Sequence, residues 1–542
     1  MRVLIINLTR FGDVLQTQPV VHALADGGHE VGFACLDNFA EAAALLDGVQ
    51  ALFPLPGGRL LATLDADWRR SAAVLSDFGM AVRRFAADRV LNLTSTLSAR
   101  LLARLLAGSG PVGGFSVDEQ GFGDNGTLWG AFLEASTRKR GCSPYNLADT
   151  FRKTAGVGDV PFRFALRRPS PRVLDAVKQL LAGEAGGTPP GGYMAFQLGA
   201  SDARRRWPTA HFAAIGRLVR ERCGVMPVLV GTPDERELGA AYQAAGSPAV
   251  NLIGRTSLEE LSAVLVLSRL LITNDTGTMH LAAGLGTPSL ALFLATAQPW
   301  DTGPCLEDCC CVEPALPCHP CDFSVPCPEG GACRERLTPA AIWPLVQERL
   351  LAGRWPDQLP ARTKALARVW LTTRDKAGFL DLRSLSGHER EERSVWLRMQ
   401  RHFYRQFLDA ADAPLSCPGA SRRFLPFPAG DAALVRCLPA ERRGELREQL
   451  TRLEALCGLL VQQGQALTAG TLPQGGKRFL GTAARIATLL QTEDKRNAFD
   501  ALNRLWTVAL QKRGEDLASV MAFAECFGGM AHAWAEALAP GE

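Results

Sequence analysis

A turn with the chemistry of an anion site lies in residues 271–280, which read Leu-Ile-Thr-Asn-Asp-Thr-Gly-Thr-Met-His. The apolar residues at its start predict the end of a buried helix or strand, and residues 281–288 predict a helix. The first N–H groups of a helix have no internal partner, and the helix dipole attracts negative charge to them. The candidate phosphate-binding residues are Asp275, Thr276 and Gly277, with His280 one turn into the helix. The alternative is an ordinary turn capped by Asp275 or Thr276, with a structural histidine.

A second turn of this kind follows the first apolar run of the chain. Residues 3–8 predict a buried parallel strand, residues 9–12 predict a turn, and Asp13 is the predicted start of a helix. A carboxylate in such a turn, beside Gly12, has room to receive a proton from the hydroxyl group of a bound molecule. The alternative is that Asp13 only caps the helix.

Two further apolar runs end in small or charged residues. Residues 195–201 predict a strand and a small-residue turn, and residues 204–208 then read Arg-Arg-Arg-Trp-Pro. Residues 225–230 predict another strand, which runs into Gly-Thr-Pro-Asp-Glu at residues 231–235. Ligands bind at the carboxyl ends of the strands of a parallel sheet, and all four turns are expected there. The basic triplet taken alone also fits a solvated loop.

In this order the four segments resemble glycosyltransferase family 9, the bacterial lipopolysaccharide heptosyltransferases. The family pattern is a first strand ending in Gly-Asp, then Gly-Ala-Ser with Lys-Arg-Trp-Pro, then Gly-x-x-x-Glu, then Asn-Asp-Thr-Gly-x-x-His, and the match covers about residues 1–350. The resemblance implies an inverting, metal-independent glycosyltransferase of GT-B architecture. The expected reaction moves heptose from ADP-heptose to an inner-core lipopolysaccharide acceptor or a related glycan.

The resemblance also implies a role for each motif residue. Asp13 matches the general base of the family, and Arg205 stands where the family usually has a lysine that contacts the diphosphate. Arginine keeps the charge but is bulkier, so Arg204 or Arg206 could act in its place. The other residues implied in donor binding are Glu235 near the nucleoside, Asp275 at the sugar and phosphates, His280 in the same turn, Thr9, and the amides of Thr276 and Gly277.

Two other functions fit the same sequence. One is a GT-B glycosyltransferase with a different donor or acceptor, which the change at Arg205 permits. The other is a non-catalytic sugar-binding or scaffold protein that acts through carboxyl-terminal helices, although Asp13 argues for turnover. The pair Asp65 and Asp67 spells the metal-binding Asp-x-Asp of another glycosyltransferase fold, but no clear strand precedes it, so we expect no metal there.

Eight of the 15 cysteines lie between residues 305 and 333. In a cytosolic chain such clustering favours metal ligation over disulfide bonds. Four thiolates could hold a structural zinc ion or an iron–sulfur cluster, although their spacing differs from that of a standard zinc ribbon. These four are Cys318, Cys321, Cys327 and Cys333. The alternative is a set of reduced thiols in a surface loop, and the expected transfer chemistry requires no cofactor.

The pattern of apolar residues divides the chain into three parts. Residues 1–167 alternate strands and helices, with strands expected at residues 3–8, 30–35, 89–93 and 111–115, and predict a Rossmann-like acceptor domain. Residues 168–353 predict a Rossmann-like nucleotide-sugar donor domain with a Cys-rich insert at residues 301–337. In residues 354–542 apolar side chains recur at helical spacing, which predicts an all-α domain of about five helices with an unknown role.

Composition limits the remaining classes of function. Hydrophobic residues make up 47% of the 542 residues, which excludes global disorder, and a net charge of +4 argues against a dedicated nucleic-acid binder. No apolar run reaches the ~18 residues of a membrane span, and no signal peptide is recognisable. We therefore expect a cytoplasmic protein, with peripheral contact to the inner membrane as an option. The sequence does not specify the oligomeric state.

Overall fold

The computed structural model describes residues 1–138, 143–158, 160–323, 325–412, 424–471, 474–491, 499–513 and 516–539. The chain forms two compact units. The first, called the α/β unit here, comprises Met1–Gly123 and Tyr145–Gly387. The second, called the helical unit, comprises Asp124–Pro144 and His388–Glu542.

The amino-terminal half of the α/β unit is built on a five-stranded parallel sheet with the order β3-β2-β1-β4-β5. The strands are β1 (Arg2–Ile6), β2 (Glu30–Leu36), β3 (Val49–Leu55), β4 (Arg89–Asn92) and β5 (Val112–Gly114). The helices up to β5 are α1 (Phe11–Leu15), α2 (Gln18–Asp26), α3 (Ala40–Ala44), α4 (Gly57–Leu64), α5 (Trp68–Phe85) and α6 (Leu97–Ala107). After β5 come β6 (Ser116–Val117), β7 (Gly123–Asp124), α7 (Leu128–Arg138) and α8 (Leu147–Ala155).

This sheet confirms the predicted parallel architecture. The four strands expected at residues 3–8, 30–35, 89–93 and 111–115 are β1, β2, β4 and β5. The edge strand β3 was not predicted, because it is only half-buried and contains Pro54. Central strands such as β1 are buried on both faces and therefore read as continuous apolar runs, whereas edge strands do not.

The carboxyl-terminal half of the α/β unit is built on an eight-stranded sheet with the order β10-β9-β8-β11-β12-β13-β14-β15. Its strands are β8 (Tyr193–Gln197), β9 (Met226–Val230), β10 (Val250–Asn251), β11 (Ser268–Asn274), β12 (Ser289–Leu292), β13 (Cys310–Pro314), β14 (Ala367–Arg374) and β15 (Leu380–Ser384). Its helices are α9 (Pro171–Glu184), α10 (Thr209–Cys223), α11 (Arg236–Ala244), α12 (Leu258–Leu267), α13 (Gly277–Leu285), α14 (Pro299–Thr302), α15 (Ala332–Arg336), α16 (Pro339–Ala352) and α17 (Ala361–Leu366).

The prediction that residues 354–542 are all helical is wrong at its start. Strands β14 and β15 follow α16 and extend the second sheet with antiparallel pairing. Strand β14 is buried along most of its length, so its sequence lacks the alternation that marks a half-buried strand. Its buried Arg368 donates to the carbonyl oxygen of Pro314 at 2.9 Å, which allows a charged residue inside the sheet. The run Val-Trp-Leu-Thr-Thr in β14 is rich in strand-forming residues, and this composition is the sequence feature that indicates a strand.

The helical unit contains α18 (Glu392–Asp412), α19 (Ala429–Val435), α20 (Ala440–Thr468), α21 (Gly475–Leu490), α22 (Asp500–Arg513) and α23 (Leu517–Ala537). The predicted apolar stripes are confirmed, since every member is buried. They are Val395, Met399, Phe403 and Phe407 in α18, and Leu446, Leu450, Leu453 and Leu460 in α20.

The helical unit also includes a helix from the amino-terminal third of the chain. Helix α7 packs against α18 and α22, and Nε1 of Trp129 donates to Oδ1 of Asp409 at 2.8 Å. The rings of Phe132 and Tyr404 meet edge to face at 5.9 Å. The predicted boundary, with residues 1–167 in one domain, therefore differs from the structure. Local sequence carries no sign of this packing, because the partner residues lie far along the chain.

Within the described ranges, none of the helices is both long enough and apolar enough to cross a membrane.

Candidate functional site

The four predicted motifs all follow the carboxyl ends of parallel strands. Asp13 follows β1, Arg205 follows β8, Glu235 follows β9 and Asp275 follows β11. Strands β9, β8 and β11 are neighbours in the second sheet, so their loops lie side by side. The sheet thus gathers the basic loop, one carboxylate and the Asp-Thr-Gly turn at one edge, as expected for an open α/β sheet.

The Asp-Thr-Gly turn opens helix α13 as predicted. Thr276 is the N-cap residue and makes no side-chain cap, so its hydroxyl group does not occupy the first N–H groups of the helix. Helix α13 begins at Gly277, and His280 lies in its first turn and is buried. The N–H groups at the start of the helix and the helix dipole form an anion-binding end.

Buried Asn274 ties this turn to the basic loop and was not singled out from the sequence. Its Oδ1 accepts from the backbone N–H of Trp207 at 2.9 Å. Its Nδ2 donates to the carbonyl oxygens of Leu198 at 2.9 Å and Gly199 at 3.1 Å. A fully buried amide with all these bonds positions three chain segments relative to one another. The sequence feature that points to Asn274 is its position as the last residue of a buried strand.

Arg205 is the arginine of the basic triplet that reaches the turn. Its Nη1 lies 3.0 Å from Oδ2 of Asp275, and the two side chains are 9% and 7% exposed. Its Nη2 donates to Oγ of Ser201 at 2.6 Å, whereas its buried Nε makes no hydrogen bond. A buried guanidinium with an unused N–H can still bind a further acceptor.

The two neighbouring arginines are engaged elsewhere. Arg204 pairs with Asp202 at 2.8 Å and lowers the pKa of that carboxyl group through hydrogen bonding. Nε of Arg206 donates to the carbonyl oxygen of Ala200 at 2.8 Å. The sequence left these three arginines open as alternatives, and the geometry favours Arg205.

Glu235 follows β9 at the same edge of the second sheet. Its Oε2 accepts from Nε2 of Gln197 at 3.0 Å and from the backbone N–H of Thr232 at 2.9 Å. A carboxylate held by two donors in this way keeps a defined orientation. Gln197 was not predicted as a site residue.

Asp13 lies in a short helix on the first sheet. Helix α1 begins at Phe11, two residues before the predicted start, and Asp13 is its third residue. Oδ2 of Asp13 accepts from the backbone N–H of Arg10 at 3.4 Å. The carboxylate therefore contributes to capping, and it is half-buried. The capping alternative and the general-base role do not exclude each other, because a capping carboxylate retains further acceptor sites.

Buried Asn7 holds the Asp13 turn in place. Its Nδ2 donates to the backbone carbonyl oxygen of Asp13 at 3.3 Å and to Oγ1 of Thr17 at 2.8 Å. Its Oδ1 accepts from the hydroxyl group of Thr9. Thr9, a predicted donor-binding residue, is thus a partner of Asn7 within the turn.

The Asp13 turn and helix α13 are in contact. A Cβ atom on Gly12 would lie 2.9 Å from Cδ2 of His280. A Cβ atom on Gly277 would lie 2.2 Å from Cδ1 of Phe11. Both positions therefore require glycine, and the close approach brings the candidate base to the anion-binding end of the second sheet.

The cysteines of the insert fall into two groups. Cys305, Cys309, Cys310 and Cys311 are buried, and the last two belong to β13. Burial raises the pKa of each of these four thiols, which makes them unreactive core residues.

The second group comprises Cys318, Cys321, Cys327 and Cys333. Burial first, and then each of the other three thiols, raises the pKa of Cys321 to about 11. Across the described part of the chain, no three or more His, Cys, Asp or Glu residues are grouped so that they could hold a metal ion. The structure thus gives no direct support to a zinc or iron–sulfur site, and that expectation stays a prediction.

The same insert supports the basic loop. Nε of Arg334 donates to the carbonyl oxygen of Arg206 at 2.9 Å, and Nε1 of Trp207 donates to the carbonyl oxygen of Leu337 at 2.6 Å. The role of these residues is to brace the segment that carries Arg205.

The Asp-x-Asp pair lies between two helices. Asp67 is the N-cap residue of α5, and its Oδ1 accepts from the backbone N–H of Arg69 at 3.2 Å. The segment before it is helix α4, so the preceding strand that such a metal motif needs is not there.

A turn that carries a carboxylate on the first, parallel sheet meets the second sheet where its parallel strands end, beside Arg205 and the start of α13. This pairing of two Rossmann-like halves is the GT-B architecture. Residues 76–332 match the model of glycosyltransferase family 9 (heptosyltransferase). The chain therefore contains a region, somewhat less than half of its length, that matches a family of glycosyltransferases.

Comparison with individual proteins gives the following similarities. The chain is similar to lipopolysaccharide heptosyltransferase 1 of Pseudomonas aeruginosa, at 28% identity over 336 residues, which cover 59% of this chain and 86% of the relative. It is 35% identical to lipopolysaccharide heptosyltransferase 2 of Salmonella typhimurium over 95 residues, or 16% of this chain and 27% of the relative. Among solved structures, E. coli ADP-heptose lps heptosyltransferase II has a TM-score of 0.48 and 17% identity, with 65% of this chain and 99% of that chain covered.

Proposed function

We propose that the protein transfers heptose from ADP-heptose to an inner-core lipopolysaccharide acceptor or a related glycan, with inversion at the anomeric carbon. The match to family 9 and the similarity to proteins named lipopolysaccharide heptosyltransferases support this choice of donor and acceptor. The proposed place of action is the cytoplasm, at the surface of the inner membrane.

In this proposal the second sheet holds the nucleotide diphosphate. The N–H groups at the start of α13, with Thr276 and Gly277, bind phosphate oxygens. Arg205 contributes a fixed positive charge and the unused N–H on Nε. Developing negative charge on the leaving diphosphate is thereby stabilised by groups already in position. Asp275 holds Arg205, and Glu235 is the acceptor for nucleoside hydroxyl groups.

The first sheet supplies the base. Asp13 accepts the proton of the acceptor hydroxyl group while the acceptor oxygen forms a bond to the anomeric carbon. The bond between that carbon and the diphosphate oxygen breaks, and ADP leaves with the electron pair. Attack from the face opposite the leaving group inverts the configuration. Arg205 and the amides of α13 provide the positive potential, so the proposed mechanism needs no metal ion.

The observation that carries this proposal is the contact between Gly12 and His280. It brings the Asp13 turn within reach of the helix end that would hold the diphosphate. Without this contact, a base on one sheet and an anion site on the other would not form one active site.

The test is a panel of nucleotide sugars. The full chain is incubated with ADP-heptose, UDP-glucose, UDP-N-acetylglucosamine and GDP-mannose, and both thermal stabilisation and hydrolysis or transfer are recorded. We expect stabilisation and turnover with ADP-heptose. Stabilisation by another donor alone would replace heptose in the proposal, and a lack of response to all four would favour the non-catalytic alternative.

A further inference from the structure

Gln197 links two parts of the sheet edge that is proposed to bind the donor. No sequence motif connects these two parts. It is the last residue of β8, and its side chain is buried. Its Nε2 lies 3.0 Å from Oε2 of Glu235, and its Oε1 lies 3.0 Å from the hydroxyl oxygen of Thr278. Thr278 is the second residue of α13. One amide therefore links the proposed nucleoside carboxylate to the helix proposed to hold the diphosphate.

The chemistry of its two neighbours fixes how this amide is oriented. An ionised carboxylate can only accept hydrogen bonds, so the NH₂ group of Gln197 must face Glu235. The carbonyl oxygen of Gln197 then faces Thr278, whose hydroxyl group must donate to it. The chain of donors runs in one direction, from Thr278 through Gln197 to Glu235.

The two oxygens of the Glu235 carboxylate are consequently different. Oε2 accepts from both Gln197 and the backbone N–H of Thr232. Oε1 lies against the backbone of Gly199, where a Cβ atom would be only 1.6 Å away. A Cβ atom on Gly231 would be 2.3 Å from Oε2. The carboxylate is thus seated between two glycines, with Oε2 bound by the protein and Oε1 left to accept from a ligand.

We infer that Gln197 is a positioning residue for nucleotide recognition, which holds Glu235 so that Oε1 accepts from the ribose hydroxyl groups of the donor. Because the same amide is bound to α13, ribose recognition and diphosphate binding are coupled through it. The inference rests on the proposed function. It adds a residue that determines how strongly the protein prefers a nucleotide with ribose hydroxyl groups over one without them.

The first experiment compares ligands that differ only at the ribose. Calorimetry measures the affinity of the full chain for ADP and for 2′,3′-dideoxy-ADP. In the unaltered protein we expect ADP to bind roughly 10- to 100-fold more tightly, the range for a hydrogen bond to a charged group. In Gln197→Met, which keeps the side-chain length but makes no hydrogen bond, this ratio should fall several-fold, chiefly through weaker ADP binding. The exposed Gln243→Met on α11 is the matched control and should keep the ratio.

The second experiment uses pH, which a purely structural role would not reveal. In Gln197→Glu the introduced carboxyl group faces Glu235, and repulsion between two carboxylates at this distance raises the pKa of one of them. At low pH one of the two carboxyl groups keeps its proton, which restores a hydrogen bond to Oε2 of Glu235. The preference for ADP over the dideoxy analogue should then be present. As pH rises and that proton is lost, discrimination should fall, while the unaltered protein stays level over the same range.

The outcomes separate the inference from the proposed function. If the unaltered protein binds neither ADP nor its dideoxy analogue, the proposed donor class is wrong. If it discriminates between them and Gln197→Met folds with the same ratio, or Gln197→Glu shows no pH dependence, the positioning role is overturned. If Gln197→Met does not fold, the pH profile of Gln197→Glu decides alone.

Discussion

Gly12 on the first sheet and His280 on the second are in contact, with room for a hydrogen but not for a methyl group: a Cβ atom on Gly12 would lie 2.9 Å from Cδ2 of His280. The contact fixes the distance between the Asp13 turn and helix α13. The two halves of the proposed active site therefore meet at a glycine rather than at a charged residue.

Gly12→Ala should therefore impair transfer more than donor binding. The added methyl group must push the Asp13 turn away from α13, and a displacement of about 1 Å can cost ~100-fold in rate. We expect kcat to fall at least ten-fold with little change in ADP affinity by calorimetry. Gly58→Ala in α4 is the matched control, because its added methyl group meets no atom within 4 Å. An unchanged kcat in Gly12→Ala would contradict the role of this contact.

Asp13→Asn tests the base directly. The amide cannot take up the acceptor proton, and a general base typically contributes ~100-fold or more to the rate. We expect turnover to fall by that factor while ADP affinity and the unfolding temperature stay close to those of the unaltered protein. Asp65→Asn, at an exposed position in the first sheet's half, should leave turnover unchanged. Normal turnover in Asp13→Asn would remove Asp13 from the mechanism.

Arg205→Ala should weaken binding of ADP far more than binding of adenosine. The proposed partner of Arg205 is phosphate, and a charge-assisted hydrogen bond contributes about 1.5–3 kcal/mol. Arg205→Lys, which keeps the charge, should retain part of the affinity. Arg204→Ala is the control, since Arg204 pairs with Asp202 and is exposed. Equal losses for ADP and adenosine, or a larger effect at Arg204, would transfer the role to another residue.

Division of the chain after residue 353 should fail to give two soluble pieces. Such a cut removes β14 from the second sheet and exposes the edge of β13, and unpaired edges promote aggregation. Cuts after 353 and after 387 both leave α7 on the amino-terminal piece, away from its partners α18 and α22, so the comparison isolates the effect of the strands. We expect little soluble protein from a co-expressed pair cut after 353, compared with a pair cut after 387, which keeps both strands. Equal yields of folded, nucleotide-binding protein from both pairs would contradict this boundary.

Chelation should leave transfer intact. Arg205 and the amides of α13 already supply positive potential at the proposed diphosphate site, so a catalytic divalent ion of the kind used by other transferases is not needed. We expect full activity after dialysis against EDTA, and elemental analysis of the same protein measures zinc and iron per chain. Loss of activity that manganese or magnesium restores would require a metal-assisted mechanism, and stoichiometric zinc would place a metal at Cys318, Cys321, Cys327 and Cys333.

Much of the site could be predicted because its signals are local. Buried parallel strands such as β1 and β11 read as short apolar runs, and each ends in a small or acidic residue where the chain turns into a helix. The order of these turns along the chain indicated the resemblance to family 9 and nominated Asp13, Glu235 and Asp275 as candidates. Apolar spacing likewise identified α18 and α20, because each buries one face.

What the sequence could not determine depends on segments that meet only in the folded chain. The three arginines at 204–206 carry equal charge, and only the approach of Asp275 singles out Arg205. Strand β14 and helix α7 find their partners through pairing and packing far along the chain, which periodicity does not record. Gln197 reads as one more strand residue until folding places Glu235 on one side of its amide and Thr278 on the other. The sequence specifies which chemical groups are available at each strand end, whereas the tertiary structure decides which of them touch, because contact depends on three-dimensional distance rather than on order along the chain.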